Sequence, residues 1–163
     1  MITVMGVGST LLTDEGLGIR ALEVLHDSYD FEPDVEFIDG GTAGMELLAY
    51  MNDTTHLLIL DCVDGGKDPG HLFSLDKDHL HQYSQGEVSS HDVGIADIIR
   101  IQTLTRPDQL KEIHLVGMQP ESLDLGLDLS VTCDGCLPEL VRMAVGVLES
   151  WGVLVKEKAI ATA

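Results

Sequence analysis

The sequence predicts an α/β sandwich, in which a mainly parallel sheet is covered by helices on both faces. Three observations carry that prediction. Short apolar runs alternate along the chain with helical stripes of apolar residues. The runs stop at Gly or run into Asp, as buried strands do on reaching the edge of a sheet. No linker, repeat or low-complexity stretch divides the 163 residues. One domain over residues 1–155 is therefore expected, followed by a short frayed tail over 156–163.

The elements follow in order. Ile2–Val7 reads as a first strand that stops at Gly8. Asp14 to Tyr29 carries Leu17, Ala21, Val24 and Leu25 at helical spacing, with Thr13 or Asp14 placed to cap the first turn. Glu15 there suits the positive end of the helix dipole. Val35–Ile38 makes a second strand ending at Asp39-Gly40-Gly41, and Ala43 to Met51 a short helix. His56–Val63 is the most apolar strand, with Leu57-Leu58-Ile59-Leu60 leading into Asp61. His71–Leu75 follows a turn at Lys67-Asp68-Pro69-Gly70, and residues 76–90 read as a polar loop. A helix capped by Ser89 or Ser90 runs to about Thr103 on the face of Ile95, Ile98 and Ile99. Glu112–Met118 is another strand, and Leu140, Ala144, Val147, Leu148 and Trp151 mark the last helix.

Composition narrows the function. Nine Lys and Arg stand against 28 Asp and Glu, a formal charge of −19, which repels a phosphate backbone and disfavours nucleic acid. The same charge favours cations and basic peptides, although solvation accounts for most of it. No apolar run approaches the roughly 18 residues that span a bilayer, and the N-terminus lacks the pattern of a signal peptide. Three Cys argue against a disulfide framework. A cytoplasmic monomer with no membrane partner is the expectation.

In doubly wound sheets ligands bind beyond the carboxyl ends of the strands. That rule selects Gly8–Glu15, Asp39–Thr42, Asp61–Asp64 and the residues after Met118. Gly6-Val7-Gly8 with Asp39 resembles a dinucleotide fingerprint, the basis of an alternative reading as a nucleotide-dependent oxidoreductase. Leu11 occupies the third glycine position, and Asp14 and Glu15 place negative charge where a pyrophosphate would sit. A tight strand-to-helix turn explains these glycines better, and no organic cofactor is expected. The acidic residues Asp14, Glu15, Asp39 and Asp61 converge on one rim if the sheet is doubly wound. Carboxylates gathered without a base need a raised pKa or a cation, and His91 offers a nitrogen ligand. Cys133-Asp134-Gly135-Cys136 lacks the context of a redox or zinc pair, Cys62 reads as a core residue, and His79-Leu80-His81 as solvated surface.

Gly6-Val7-Gly8-Ser9-Thr10-Leu11-Leu12-Thr13-Asp14-Glu15-Gly16-Leu17-Gly18 closely resembles the opening motif of the hydrogenase maturation proteases. Asp39-Gly40-Gly41-Thr42-Ala43-Gly44-Met45-Glu46-Leu47-Leu48 resembles the family's second block, and Leu58-Ile59-Leu60-Asp61 the strand that leads to its central acid. Ser90-His91-Asp92-Val93-Gly94 is similar to its histidine block, and Val116-Gly117-Met118-Gln119-Pro120-Glu121-Ser122-Leu123 to its last one. The five blocks occur in order, and the likeness runs through Trp151-Gly152-Val153. Ser9 stands where the family usually has Asn, which bears on hydrogen bonding in that loop. Cys62 replaces a small apolar residue.

The resemblance implies a three-layer α/β/α sandwich around a five-stranded sheet, in which one strand can run antiparallel. It implies an endopeptidase that removes a C-terminal peptide from the nickel-loaded precursor of a nickel–iron hydrogenase large subunit. Glu15, Asp61 and His91 would contact nickel that arrives with the substrate, and Asp39 is the next functional candidate. Hydrolysis could then be metal-assisted, the ion polarising the carbonyl or the water. Alternatively, Asp61 or Asp39 acts as a carboxylate base in the manner of aspartic proteases. The second reading of the same residues is a non-catalytic nickel-sensing chaperone of the hydrogenase precursor.

Overall fold

The computed structural model describes residues 1–44, 46–83 and 93–159. Its elements are β1 (Ile2–Val7), a 3₁₀ turn (Thr13–Gly16), α1 (Leu17–Ser28), β2 (Tyr29–Glu32), β3 (Val35–Gly41) and α2 (Leu47–Tyr50). They continue with β4 (His56–Cys62), β5 (Leu72–Asp76), α3 (Lys77–Tyr83), α4 (Val93–Thr105), β6 (Glu112–Met118), α5 (Val131–Ser150) and β7 (Leu154–Glu157). Five strands form one sheet in the order β3-β1-β4-β6-β5. All its pairings are parallel except β5 with β6. The expected mostly parallel α/β sheet is what the chain builds. β5 enters from the rim where β4 ends, because residues 63–71 supply no crossover helix to carry it back.

Side-chain alternation divides the strands between two cores. Val4, Leu58, Leu60, Val116 and Met118 face α1 and α5. Met5, Leu57, Ile59, Ile113 and Leu115 face Leu47 and Met51 of the α2 region, with Leu80 and Ile99 packed beside them. The stripe read for α1 is the buried one, since Leu17, Ala21 and Leu25 are fully buried. Gly18 lets this helix approach the sheet: a Cβ there would lie 2.2 Å from the Leu60 carbonyl and 2.4 Å from that of Val7. The opening of α1 is thereby seated over β1 and β4.

Three sequence expectations need correction, and one helix extends beyond the stripe that marked it. The helix begins at Leu17 after a 3₁₀ turn, and neither Thr13 nor Asp14 caps it; the cap position is Gly16. The stretch 77–83 is helical rather than loop, with Leu80 turned to the core and His79 paired to Asp76 at 2.7 Å. The last helix starts at Val131, where the Ser130 side chain accepts from the Cys133 amide, so both cysteines of the Cys-x-x-Cys lie in its first turns as free thiols. The boundary expected at residue 156 falls inside β7. This strand pairs antiparallel with β2, setting Lys156 opposite Asp30 and Val155 opposite Phe31, and Lys158 donates its amide to the Ser28 carbonyl at 2.8 Å.

Two histidines make this fold sensitive to mild acid. Burial holds His114 below its usual value despite nearby Asp76 and Glu112, and its Nε2 lies 2.7 Å from the Ser74 hydroxyl. Burial likewise depresses His56, which meets Trp151 edge to face with ring centroids 5.3 Å apart. Depressed folded-state values mean that the unfolded chain binds the proton more readily. Stability is therefore complete above about pH 6.5 and declines as pH falls through that value. Thermal denaturation at pH 7.5 and 6.0 should show a midpoint a few degrees lower at pH 6.0. His114→Gln, which can still bond Ser74, should flatten the dependence; an unchanged slope would remove His114 from this role.

Candidate active site at the sheet rim

β1 leads outward to β3 on one side, while β4 leads to β6 and β5 on the other. The carboxyl ends of β1 and β4 therefore flank the point where the strand order reverses, the place where such sheets bind ligands. Glu15 belongs to the 3₁₀ turn that follows β1 and lies alongside β4. Its Oε2 is shielded from solvent. Gly8 makes this placement possible. It adopts φ +123°, a Cβ on it would fall 1.8 Å from the Glu15 carbonyl oxygen, and its amide donates to Gly41 O at 2.8 Å. Ser9, the departure in this loop, accepts from the Leu11 amide at 3.3 Å through its hydroxyl and so still bonds the turn.

Asp61 ends the apolar run of β4 and is only 6% exposed. Its Oδ1 accepts from the Cys62 amide at 2.7 Å, which orients the carboxylate at the strand end. In phase with Leu57 and Ile59, it belongs to the face covered by α2 and α4. Cys62, on the opposite phase, packs against the α1–α5 core, as read from the sequence. The loop beyond is held by Gln119, to which sequence reasoning assigned no role. Its Oε1 accepts from the amides of Gly65 and Lys67 at 2.8 and 3.1 Å, and its Nε2 donates to Asp64 at 2.9 Å. Its position just past Met118, at the carboxyl end of β6, was the available signal.

His91 lies outside the described residues. The far end of α4 is anchored at the amino rim, where Arg106 donates to Asn52 at 2.8 Å. Thirteen residues of helix span about 20 Å, so α4 starts at Val93 toward the carboxyl rim that holds Asp61.

Asp39 occupies a different position. It is paired with Gly6 of β1, which is in turn paired with Leu60, so two strand spacings, about 10 Å, separate it from β4. It is in phase with Phe37, on the α1 face, and its Oδ1 accepts from the Gly41 amide at 3.0 Å. The turn that carries Glu15 thus contacts β4, the strand that ends in Asp61, while Asp39 lies to one side. Among the described residues no group of three or more His, Cys, Asp or Glu is placed to hold a metal ion.

Asp14, the fourth acid of the expected constellation, is structural. It is fully buried, and its carboxylate accepts from three backbone amides: Glu121 at 2.9 Å, Ser122 at 3.0 Å and Ser130 at 2.8 Å. Burial alone would raise its pKa, but these bonds outweigh it and hold the carboxyl below the usual range. The neighbouring Thr13, at φ 48°, adds bonds from its hydroxyl to the carbonyls of Ser122 and Asp124.

The sequence and fold have clear relatives. A family model described as hydrogenase maturation protease matches residues 19–147. The hydrogenase 2 maturation protease of Escherichia coli K12 is 36% identical over 93% of this chain and 93% of its own. The hydrogenase expression/formation protein HupD of Rhizobium leguminosarum bv. viciae is 34% identical over 94% of this chain and 77% of its own. Among solved structures, the hydrogenase maturating endopeptidase HybD from E. coli superposes with a TM-score of 0.89 at 34% identity, covering 96% of this chain and 97% of that one. With one family model matched over residues 19–147 and the same fold in a solved relative, the chain belongs to the hydrogenase maturation proteases.

Proposed function

We propose that this protein removes a C-terminal peptide from the nickel-loaded precursor of a nickel–iron hydrogenase large subunit. What supports this reading is that the turn carrying Glu15 contacts β4, the strand ending in Asp61, where the strand order reverses, in a chain of the maturation protease family. Nickel belongs to the substrate in this scheme. Glu15, Asp61 and His91 reach it only once it has been inserted, so an empty precursor presents nothing to complete the contact. Carboxylate and imidazole ligands suit a borderline divalent ion.

Docking through the metal would place the scissile peptide beside Asp61. Hydrolysis requires that a water lose a proton as its oxygen attacks the carbonyl carbon. The tetrahedral intermediate then collapses, the C–N bond breaks, and the departing amine takes the proton. We assign the proton-holding role to Asp61 rather than Asp39. Asp61 lies at the point of strand reversal, whereas Asp39 sits about 10 Å away on the other phase. The docked nickel can share the work by polarising the carbonyl.

The direct test is mass spectrometry of nickel-loaded and nickel-free precursor, each incubated with a trace of this protein. Loss of a C-terminal peptide from the loaded form alone is the expected result. Tight binding without cleavage would instead identify a nickel-sensing chaperone, and cleavage of both forms would remove nickel from the recognition step.

A further inference from the structure

We propose that the apolar face formed by Leu11, Leu123, Leu125, Leu127 and Val131 docks an apolar segment of the precursor flanked by basic residues. This rests on the proteolytic reading above and adds a surface outside the carboxylate rim. These five residues are 60%, 40%, 85%, 65% and 91% exposed. They hold most of the large exposed apolar side chains among the described residues, and they come from only two segments.

Backbone bonds join those segments into one surface. The Gly126 amide donates to Leu11 O at 2.9 Å, and the Thr13 amide to Gly126 O at 2.9 Å. Leu125 and Leu127 therefore flank the point where Leu11 is attached. Val131 opens α5 directly after Ser130, whose amide is bound by Asp14. A concentrated exposed apolar patch of this kind marks a binding surface more often than chance exposure.

The patch is also rigid. A buried carboxylate with three amide bonds, supported by Thr13, pins the loop that carries it. A preordered loop loses little conformational entropy on binding, which favours affinity. The pin is continuous with the site, because Asp14 immediately precedes Glu15. A partner seated on the leucines is thus held next to the rim.

Charge selects the flanks of that partner. Exposed Glu121, Asp124, Asp128 and Asp134 are interspersed with these apolar residues along the chain. Residues 8–16 and 120–131 contain no Lys or Arg, and Arg20 of α1, which reaches the Leu127 carbonyl at 3.1 Å, is engaged by Glu23 at 3.3 Å. Basic residues beside an apolar anchor would speed and orient the encounter, and salt would weaken it.

The test compares the full-length wild type with the double variant Leu125→Ser/Leu127→Ser, a separate Leu11→Ser variant, and the control Leu104→Ser. Leu104 is 75% exposed but lies at the far end of α4. Binding to nickel-loaded precursor is measured by interferometry at about 50 and 500 mM salt, with processing followed in parallel. The double variant should bind about 30-fold more weakly, with Leu11→Ser intermediate. Leu104→Ser should match the wild type, and higher salt should weaken every binder. If the wild type processes the precursor and the double variant binds it equally well, this proposal is overturned while the proteolytic reading stands. A wild type that neither binds nor processes the precursor overturns both. Sedimentation supplies the remaining outcome: if the wild type is a dimer and the double variant a monomer, a second copy covers this face and the docking assignment is wrong.

Discussion

Asp61→Asn should lower processing of the nickel-loaded precursor by about 10³-fold, the range set by removing a carboxylate that handles a proton in the transition state. The substitution separates chemistry from folding unusually well. Asparagine keeps the shape of the side chain and an oxygen that can accept from the Cys62 amide, the bond measured at 2.7 Å. It gives up the charge and replaces the second oxygen by an amide nitrogen, which neither takes a proton nor ligates a cation. Asparagine is isosteric with aspartate, so the strand end has no steric reason to rearrange around this buried residue. The melting midpoint should stay within about 2 °C of the wild type, less than 1 kcal/mol for a chain of this size. Cleavage is read by mass spectrometry at equal enzyme concentration. A folded Asp61→Asn protein that processes at the wild-type rate would take Asp61 out of the reaction. Asp39→Asn is the informative companion. If Asp39 lost as much activity as Asp61, the roles assigned from their separation across β1 would have to be exchanged.

The central sheet was legible because its strands are buried on both faces. Leu57-Leu58-Ile59-Leu60 and Ile113-His114-Leu115-Val116 have near-continuous apolar runs, which fixed their limits to within a residue or so. The second sheet was not legible. Tyr29-Asp30-Phe31-Glu32 continues directly from the helical stripe of α1, and its partner Leu154-Val155-Lys156-Glu157 is half charged. Their antiparallel pairing and the packing of Tyr29, Phe31 and Val155 against the α1–α5 core show that these residues belong together. α3 was hidden for a similar reason, since the apolar residue it packs on the core, Leu80, stands between two histidines in the sequence. The rule that ligands gather at carboxyl strand ends selected Glu15, Asp39 and Asp61 alike. It could not distinguish Asp39, because the face a strand-end residue adopts depends on the register with its neighbours.

Asp14 shows the same limitation most clearly, and it carries the second large prediction. An acid just before a helical stripe reads as a cap, but its partners are the amides of residues 121, 122 and 130, more than 100 positions away. Asp14→Ala should destabilise the protein by about 3 kcal/mol, because it leaves three donors without their charged acceptor at a site from which water is excluded. The three bonds share one carboxylate, so their contributions do not simply add. That loss corresponds to a melting midpoint about 9 °C lower. The pH dependence identifies the cause. Because the folded carboxyl titrates below its usual value, its contribution is fully present above about pH 3.9 and is lost as pH falls through the folded-state value. The gap between wild type and Asp14→Ala should therefore be constant from pH 7 to 5 and narrow below 4. Hydrogen exchange should also quicken at the Glu121, Ser122 and Ser130 amides before it does in β4 or β6, since the pin holds a loop and not the sheet. A gap that persisted unchanged into acid would mean that packing, not the ionised carboxylate, secures the loop. A midpoint unaltered by Asp14→Ala would mean that Thr13 and the bridge between Leu12 and Gly126 suffice to hold it.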